Sequence, residues 1–269
     1  MGSLRIGIVA LIVAVSLAAI GCSPAEETGP ALEPKIAPPV IAEEGVLRVG
    51  VDLDHPPYAG TDRGREAGID VDVASALATE LGLELELVDV GADSVADALN
   101  AGDVDVVMSV PFTEASVLEV SSAGWYTASG PALFSSEEDT DTARVSGARG
   151  TAVQEGSVTY WDLVYDLGES ELFVTATLRE AFEALKAGEV ETVAGDALTG
   201  AYILRDFPGI GFAAQLGPAT PIGAVVATDA PDLEAAIRSA LDTLAASGVL
   251  DIIRTKWADN LPELETAEQ

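Results

Sequence analysis

Hydrophobic positions between residues 45 and 261 recur in two alternating rhythms, one of period two and one near 3.6. Leu47-Arg48-Val49-Gly50-Val51 reads as a short strand, and Leu83 to Val90 alternates apolar with acidic residues, as a half-exposed strand does. Between them Val73, Leu77 and Leu81 share one helical face, with Asp70 placed to cap the start and Gly82 just past the end. Val104 to Met108 has the pattern of a buried strand. Thr177-Leu178-Arg179-Glu180 has capping-box spacing and opens a helix with Leu178, Phe182 and Leu185 on one face and Gly188 at its end. Asp229 and Pro231 start a helix carrying Leu233, Ile237, Leu241 and Leu244 up to Gly248, and Leu250, Ile253 and Trp257 form a last apolar face. Strands alternating with helices in this way predict an α/β protein with mainly parallel sheets flanked by helices.

One unit of this pattern occurs twice. Leu99 to Ser109 and Leu185 to Gly195 both read L-x-A-G-acid-V-acid-x-V: a helix end, a glycine stop, a tight turn and a buried strand. Two copies of one supersecondary unit imply two lobes, one copy in each. Ligands of open α/β sheets sit at the carboxyl ends of strands. The repeat therefore nominates Ser109 and Val110 from one lobe, and Gly195 and Asp196 from the other, facing each other across a cleft.

The N-terminal stretch follows neither rhythm. Arg5 precedes an apolar run from Ile6 to Ile20, too short to span a bilayer comfortably and the right size for the core of a signal peptide over 1–21. The small residues of Ala19-Ile20-Gly21 before Cys22 look like a lipobox, which implies cleavage before Cys22 and a diacylglyceryl thioether on its sulfur. An ordinary secretory signal with an incidental cysteine is the alternative. Cys22 is the only cysteine, so no internal disulfide forms. Residues 22–44 hold five prolines and five glutamates without hydrophobic period, the composition of an extended, disordered tether. Residues 263–269 read as a short acidic tail. No other segment is apolar enough to cross a bilayer.

Charge narrows the partners. The chain has 45 acidic residues against 13 Lys plus Arg, a net charge of −32, which repels nucleic-acid phosphates. The acidity reads either as compositional drift or as adaptation to high salt, where a carboxylate surface is screened. No G-x-S-x-G, H-E-x-x-H, Walker A or C-x-x-C motif occurs. One histidine and one cysteine leave no metal cluster, and Glu137 to Asp141 lacks calcium-loop spacing. No catalytic residue, metal or cofactor is expected, and the chain is expected to be a monomer.

Several motifs, in order, carry a resemblance. They are Leu47-Arg48-Val49-Gly50-Val51-Asp52 running on to His55-Pro56-Pro57-Tyr58; Gly68-Ile69-Asp70-Val71-Asp72-Val73; Ala101-Gly102-Asp103-Val104-Asp105; Trp125-Tyr126 ahead of Gly130; Gly195-Asp196; and Lys256-Trp257. The body resembles the family 3 extracellular solute-binding proteins, which deliver polar amino acids to ABC importers. The resemblance implies a two-lobed periplasmic-binding-protein type II fold with two hinge crossovers. Lobe one would comprise 45–130 plus 223–262 and lobe two 131–222. It implies a small-molecule solute and the permease subunits of an importer as partners. An enzyme is not expected, although a dehydratase-like activity on the same fold, or a module presenting ligand to a membrane sensor, are the alternatives.

The resemblance also implies site residues. Asp196 matches the carboxylate that holds the ligand's α-ammonium, although capping the helix Ala197 to Leu204 is its other reading. Asp52 matches an acidic strand-end position and His55 a position where the family often has an aromatic; surface packing is the alternative for His55. Ser109 keeps a polar strand-end position and Ser157 lies in a backbone-rich turn. Tyr58, Tyr126 and Phe112 are candidate aromatic walls, Trp125 a hinge or core aromatic. Three positions depart from the family: Ser116 or Ala115 stands where an arginine grips the ligand carboxylate, Val158 replaces a hydroxyl, and no stacking aromatic occurs near Ala92. Acids and aromatics without that arginine suit an amine or another cation, unless Arg63, Arg65 or Arg149 reaches the cleft.

Overall fold

The computed structural model describes residues 33–91, 94–137 and 143–266. The signal segment, Cys22, Ala92 and most of the run from Glu137 to Asp141 lie outside the described residues.

Two five-stranded sheets organise the body. The first contains β1 (Val46–Val51), β4 (Glu84–Asp89), β5 (Val106–Pro111), β6 (Ser121–Ser129) and β12 (Thr220–Val226), in the order β4-β1-β5-β12-β6. The second contains β7 (Pro131–Ser136), β8 (Thr151–Gln154), β9 (Phe173–Thr175), β10 (Thr192–Asp196) and β11 (Ile210–Gln215), in the order β11-β7-β10-β8-β9. In the first sheet β4, β1 and β5 run parallel and only β12 is reversed against its neighbours. In the second, β9, β8 and β10 run parallel and only β7 is reversed. Reading the second sheet backwards matches β4-β1-β5-β12-β6 to β9-β8-β10-β7-β11. The repeat seen in the sequence thus lies on β5 and β10, one in each sheet.

Helices flank the sheets: α1 (Ile69–Leu81), α2 (Val95–Ala101), α6 (Pro231–Ala246) and α7 (Val249–Ala258) around the first, and α3 (Val158–Leu167), α4 (Leu178–Ala187) and α5 (Ala197–Leu204) around the second. Helices α2 and α4 both end at a left-handed glycine, Gly102 at φ 72° and Gly188 at φ 73°, which is why the two repeat units turn alike. The capping box at Thr177 forms with both of its bonds. The core of the first lobe gathers Leu47, Val49, Val73 and Leu77; that of the second is built on Phe134, Phe182 and Leu198. A short hairpin, β2 (Gly60–Asp62) with β3 (Arg65–Ala67), leads into α1.

Some expectations need correction. Asp70 does not cap α1: the cap is Gly68, and Asp70 is fully buried one residue inside the helix. Asp229 does not cap α6 either, since the helix begins with Pro231 after Ala230. Residues 33–44 are not a free tether. Ile41 is 1 % exposed in the core, Lys35 N–H donates to Leu81 O, and Ala42 N–H donates to Asp105 Oδ1 at 3.1 Å. Ile36 and Val40 pack beside Ile41, so three apolar residues among the prolines dock the segment. Residues 263–266 are also fastened to the body, through bonds described below.

The chain passes from the first sheet to the second at Gly130 and returns between Gln215 and Thr220. These two crossovers lie against each other, because a Cβ on Gly130 would stand 2.9 Å from Ala219 Cα. No helix among the described residues is long and apolar enough to cross a membrane.

Candidate ligand-binding site

The loop after β1 is fixed by its contacts with α1. Ile69 N–H donates to Pro57 O and Asp70 N–H to Tyr58 O, both at 2.9 Å. Gly68 makes this approach possible: at φ 155°, a Cβ there would lie 2.0 Å from Tyr58 O. The loop consequently sets Tyr58 inward, 6 % exposed, and leaves His55 exposed with its ring 5.6 Å from that of Tyr58.

Behind the loop lies a buried polar triad. Ser109 Oγ donates to Asp70 Oδ2 and Tyr126 OH donates to Asp70 Oδ1, each at 2.6 Å. Ser109 N–H closes the ring by donating to Tyr126 OH at 2.8 Å. Ser109 has φ 60°, a left-handed conformation that costs a non-glycine residue roughly 1 kcal/mol, and the bonds to Asp70 and Tyr126 hold it there. Burial raises the Asp70 carboxyl to about 6, with the two hydroxyl donors opposing the rise; His55 opposes it further, and the charge of Asp52 adds to it. Burial, followed by the charge of Asp70, pushes the Tyr126 phenol up.

Asp196 ends β10 beside the first crossover. Its Oδ1 accepts from Thr199 N–H at 2.8 Å, capping α5, and its Oδ2 accepts from Ser129 Oγ at 2.5 Å. Ser129 Oγ in turn accepts from Leu198 N–H at 3.1 Å. Both readings of Asp196 therefore remain compatible: it caps the helix, and each oxygen retains a second lone pair. Burial raises the Tyr58 phenol, and Asp196 is the next contributor. Tyr58 is thus the link between the Asp70 group and Asp196.

The nominated residues divide into two sets. Asp52, His55, Tyr58, Ser109, Tyr126 and Asp196 come together through the contacts and charge couplings above, joined by two residues that the sequence reading missed as site members, Asp70 and Ser129. Asp70 left a signal: it is an acid on the same helical face as Ile69, Val73 and Leu77, where burial requires partners. Ser129 left none, since its role depends on the crossover geometry. The other nominees stand elsewhere. Val110 is 3 % exposed and packs with Val107 and Val225, so its side chain serves the core and not the cleft. Phe112 packs near Gly223 on β12, with its N–H bonded to Pro221 O. Ser157 caps α3 by accepting from Tyr160 N–H at 3.1 Å, and Val158 beyond it is 76 % exposed. Ser157 spends its hydroxyl on that cap and on Gln154 O, within its own turn.

No arginine side chain is bonded to this group among the described residues. Ser116 is exposed in the turn after β5. Arg63 is exposed and faces Asp62 at 4.0 Å, Arg65 is exposed on β3, and Arg149 is exposed with its N–H on Glu171 O. The group consists of carboxylates, hydroxyls and phenols with one imidazole. Such a group favours a positive charge and holds no guanidinium or ammonium to balance a negative one. Among the described residues no cluster of His, Cys, Asp and Glu has the arrangement to hold a metal ion.

Comparisons with known proteins agree with this architecture. The family model for bacterial extracellular solute-binding proteins, family 3, matches residues 47–260. A probable amino-acid ABC transporter-binding protein of Haemophilus influenzae is 23 % identical over 215 residues, 78 % of this chain and 84 % of that protein. Among solved structures, an ancestral cationic amino acid solute-binding protein is 25 % identical, with a TM-score of 0.71 over 80 % of this chain and 96 % of the other. The L-cystine solute receptor of Neisseria gonorrhoeae, in its unliganded open conformation, superposes with a TM-score of 0.70 at 21 % identity, over 82 % and 95 % of the two chains.

Proposed function

The chain belongs to family 3 of the bacterial extracellular solute-binding proteins and has their two-lobed type II periplasmic-binding-protein fold, and on that premise we propose that it captures a cationic solute for an ABC importer. The solute is an amine or another organic cation without a carboxylate, held between the lobes at Asp196. One observation carries this reading. Asp70 is bonded to Ser109 and Tyr126, Asp196 is bonded to Ser129, and Tyr58 feels both carboxylates, while Ser116 or Ala115 stands where the resemblance implies a carboxylate-gripping arginine. A cation meets opposite charge there and aromatic faces worth about 0.5 to 2 kcal/mol each. A ligand carboxylate would be buried without a partner, which costs several kcal/mol. The enzyme alternative lacks support, because a dehydratase acting on a dicarboxylic acid needs cations where this cleft has acids.

The protein works outside the cytoplasm. It is held to its membrane by acyl chains on Cys22, which supply the anchoring that no described helix supplies. Its acceptor is the permease of the importer.

The direct test of the site is calorimetric titration of wild type and Asp196→Asn with the best amine found in a thermal-shift screen. Asn keeps the helix cap, so folding should change little. Loss of the charge-assisted contact is expected to weaken binding by roughly ten- to a hundred-fold, about 1.5 to 3 kcal/mol. Equal affinity in the two proteins would make Asp196 a cap alone.

A further inference from the structure

A cavity of about 350 Å³ lies against the hinge, apart from the acidic cleft. Its walls come from four places: strand β6 of the first lobe, Leu198 on α5 of the second, Ala245 at the end of α6, and α7 with the C-terminal segment that follows it. That segment is a strap. Arg254 Nη1 donates to Leu261 O at 2.6 Å as the chain leaves α7. The strap then reaches the second crossover, where Ala219 N–H donates to Glu265 O at 2.8 Å and Ala219 pairs with Thr266. Gln215 at the end of β11 clasps Glu265 twice, its Nε2 donating to Glu265 O at 2.6 Å and its Oε1 accepting from Glu265 N–H at 2.9 Å. The strap that walls one side of this partly open cavity is therefore fastened to the body.

Three features mark its lining. Trp125 is 54 % exposed, although Gly124 and Tyr126 on either side of it are buried. Arg254 is half-buried and has no carboxylate within ion-pair distance among the described residues, a state it shares with Arg65, Arg144, Arg149, Lys186 and Arg205, while its Nη1 is held by Leu261 O. Thr127 is 4 % exposed, and its Oγ1 is buried without a hydrogen bond among the described residues. Leu198, Leu261 and Leu264 supply apolar wall, while the exposed carboxylates Asp251 and Glu263 stand among the lining residues. A volume of this order suits a small molecule. The donor set fixes its class. Arg254 can grip a carboxylate in a bidentate pair, the acids can take an ammonium, and Trp125 with the leucines can cover a hydrocarbon chain. A simple fatty acid would meet two like charges, and a simple amine would leave the arginine unused.

We propose that this hinge cavity is a second small-molecule site, selective for a zwitterion with an apolar side chain and separate from the cleft at Asp196. Tyr126 divides the two, since it borders the cavity while its hydroxyl is committed to Asp70 on the cleft side. The cavity is walled by both lobes, so an occupant contacts the elements that move when the clamp closes.

The test is calorimetric titration of Asp196→Asn, in which the cleft is weakened, with three probes of one shape: L-leucine, 4-methylpentanoate and 3-methylbutylamine. Saturable binding of L-leucine is expected, with each half-molecule weaker by about ten-fold or more. Adding Arg254→Gln or, separately, Trp125→Ala should weaken L-leucine by about ten-fold or more. Two chemically different variants guard against one that merely loosens the strap. The proposal is overturned by absence of binding up to about 10 mM, by equal binding of the three probes, or by retention of L-leucine in both double variants. None of those results bears on the wild-type and Asp196→Asn contrast with an amine, so the cleft reading stands or falls separately.

Discussion

Asp70 is the residue whose environment departs furthest from its sequence context. Its folded carboxyl sits near 6 against an ordinary value of 3.8, so the folded protein holds a proton that the unfolded chain releases. The associated stability is fully present below the unfolded value and is lost as pH rises from about 4 through about 6. Two units correspond to about 3 kcal/mol as an upper bound. Asp70→Asn carries no titrating group, so its stability relative to wild type should improve by about 2 to 3 kcal/mol between pH 4 and pH 7. Urea melts at a series of pH values check this, and a constant difference between the two proteins would contradict the buried carboxyl. Asp196 was legible because the internal repeat placed it at a strand end. Asp70 was misread because a helix-start acid ordinarily caps, and only the approach of Ser109 and Tyr126 from β5 and β6, 39 and 56 residues away in sequence, gives it another task.

Elements were legible where local chemistry decides them. The capping box at Thr177, the left-handed glycines after α1, α2 and α4, and the paired repeat units all follow from short-range sequence. Docking was not legible, as residues 33–44 and the strap show: both have loop composition, and both are held by a few apolar anchors, Ile36, Val40 and Ile41 in the one and Leu261 and Leu264 in the other, plus backbone bonds. Helix α5 shows how tightly an element can be tied to its sheet. A Cβ on Gly200 would fall 2.2 Å from Phe134 Cζ, in the same aromatic group as Phe182 and Phe212. Because α5 begins at Asp196, pushing it off the sheet also moves the site. Gly200→Ala should cost about 1 to 3 kcal/mol in stability despite the gain in helix propensity, and weaken solute binding as well. Thermal melts and titration together check it, and an Ala variant as stable as wild type would show that Phe134 has room to turn.

At the scale of the whole molecule, two sheets with the same strand order are joined by two adjacent crossovers, with Asp196 and Ser129 bonded across the first of them. The membrane attachment inferred from Cys22 is independent of that machinery. Cys22→Ser should release the protein into the soluble fraction with its solute affinity unchanged, and a variant that stays membrane-bound with native processing would contradict the lipid anchor. Closure is the property on which the functional reading depends, because a solute can shut the lobes only through greater affinity for the closed state. The most direct measurement is small-angle scattering of the purified protein titrated with the best amine of the screen and with L-glutamate. The radius of gyration should fall with the amine and stay constant with glutamate. No change with any solute that binds, or compaction by glutamate, would contradict a clamp that closes on positive charge.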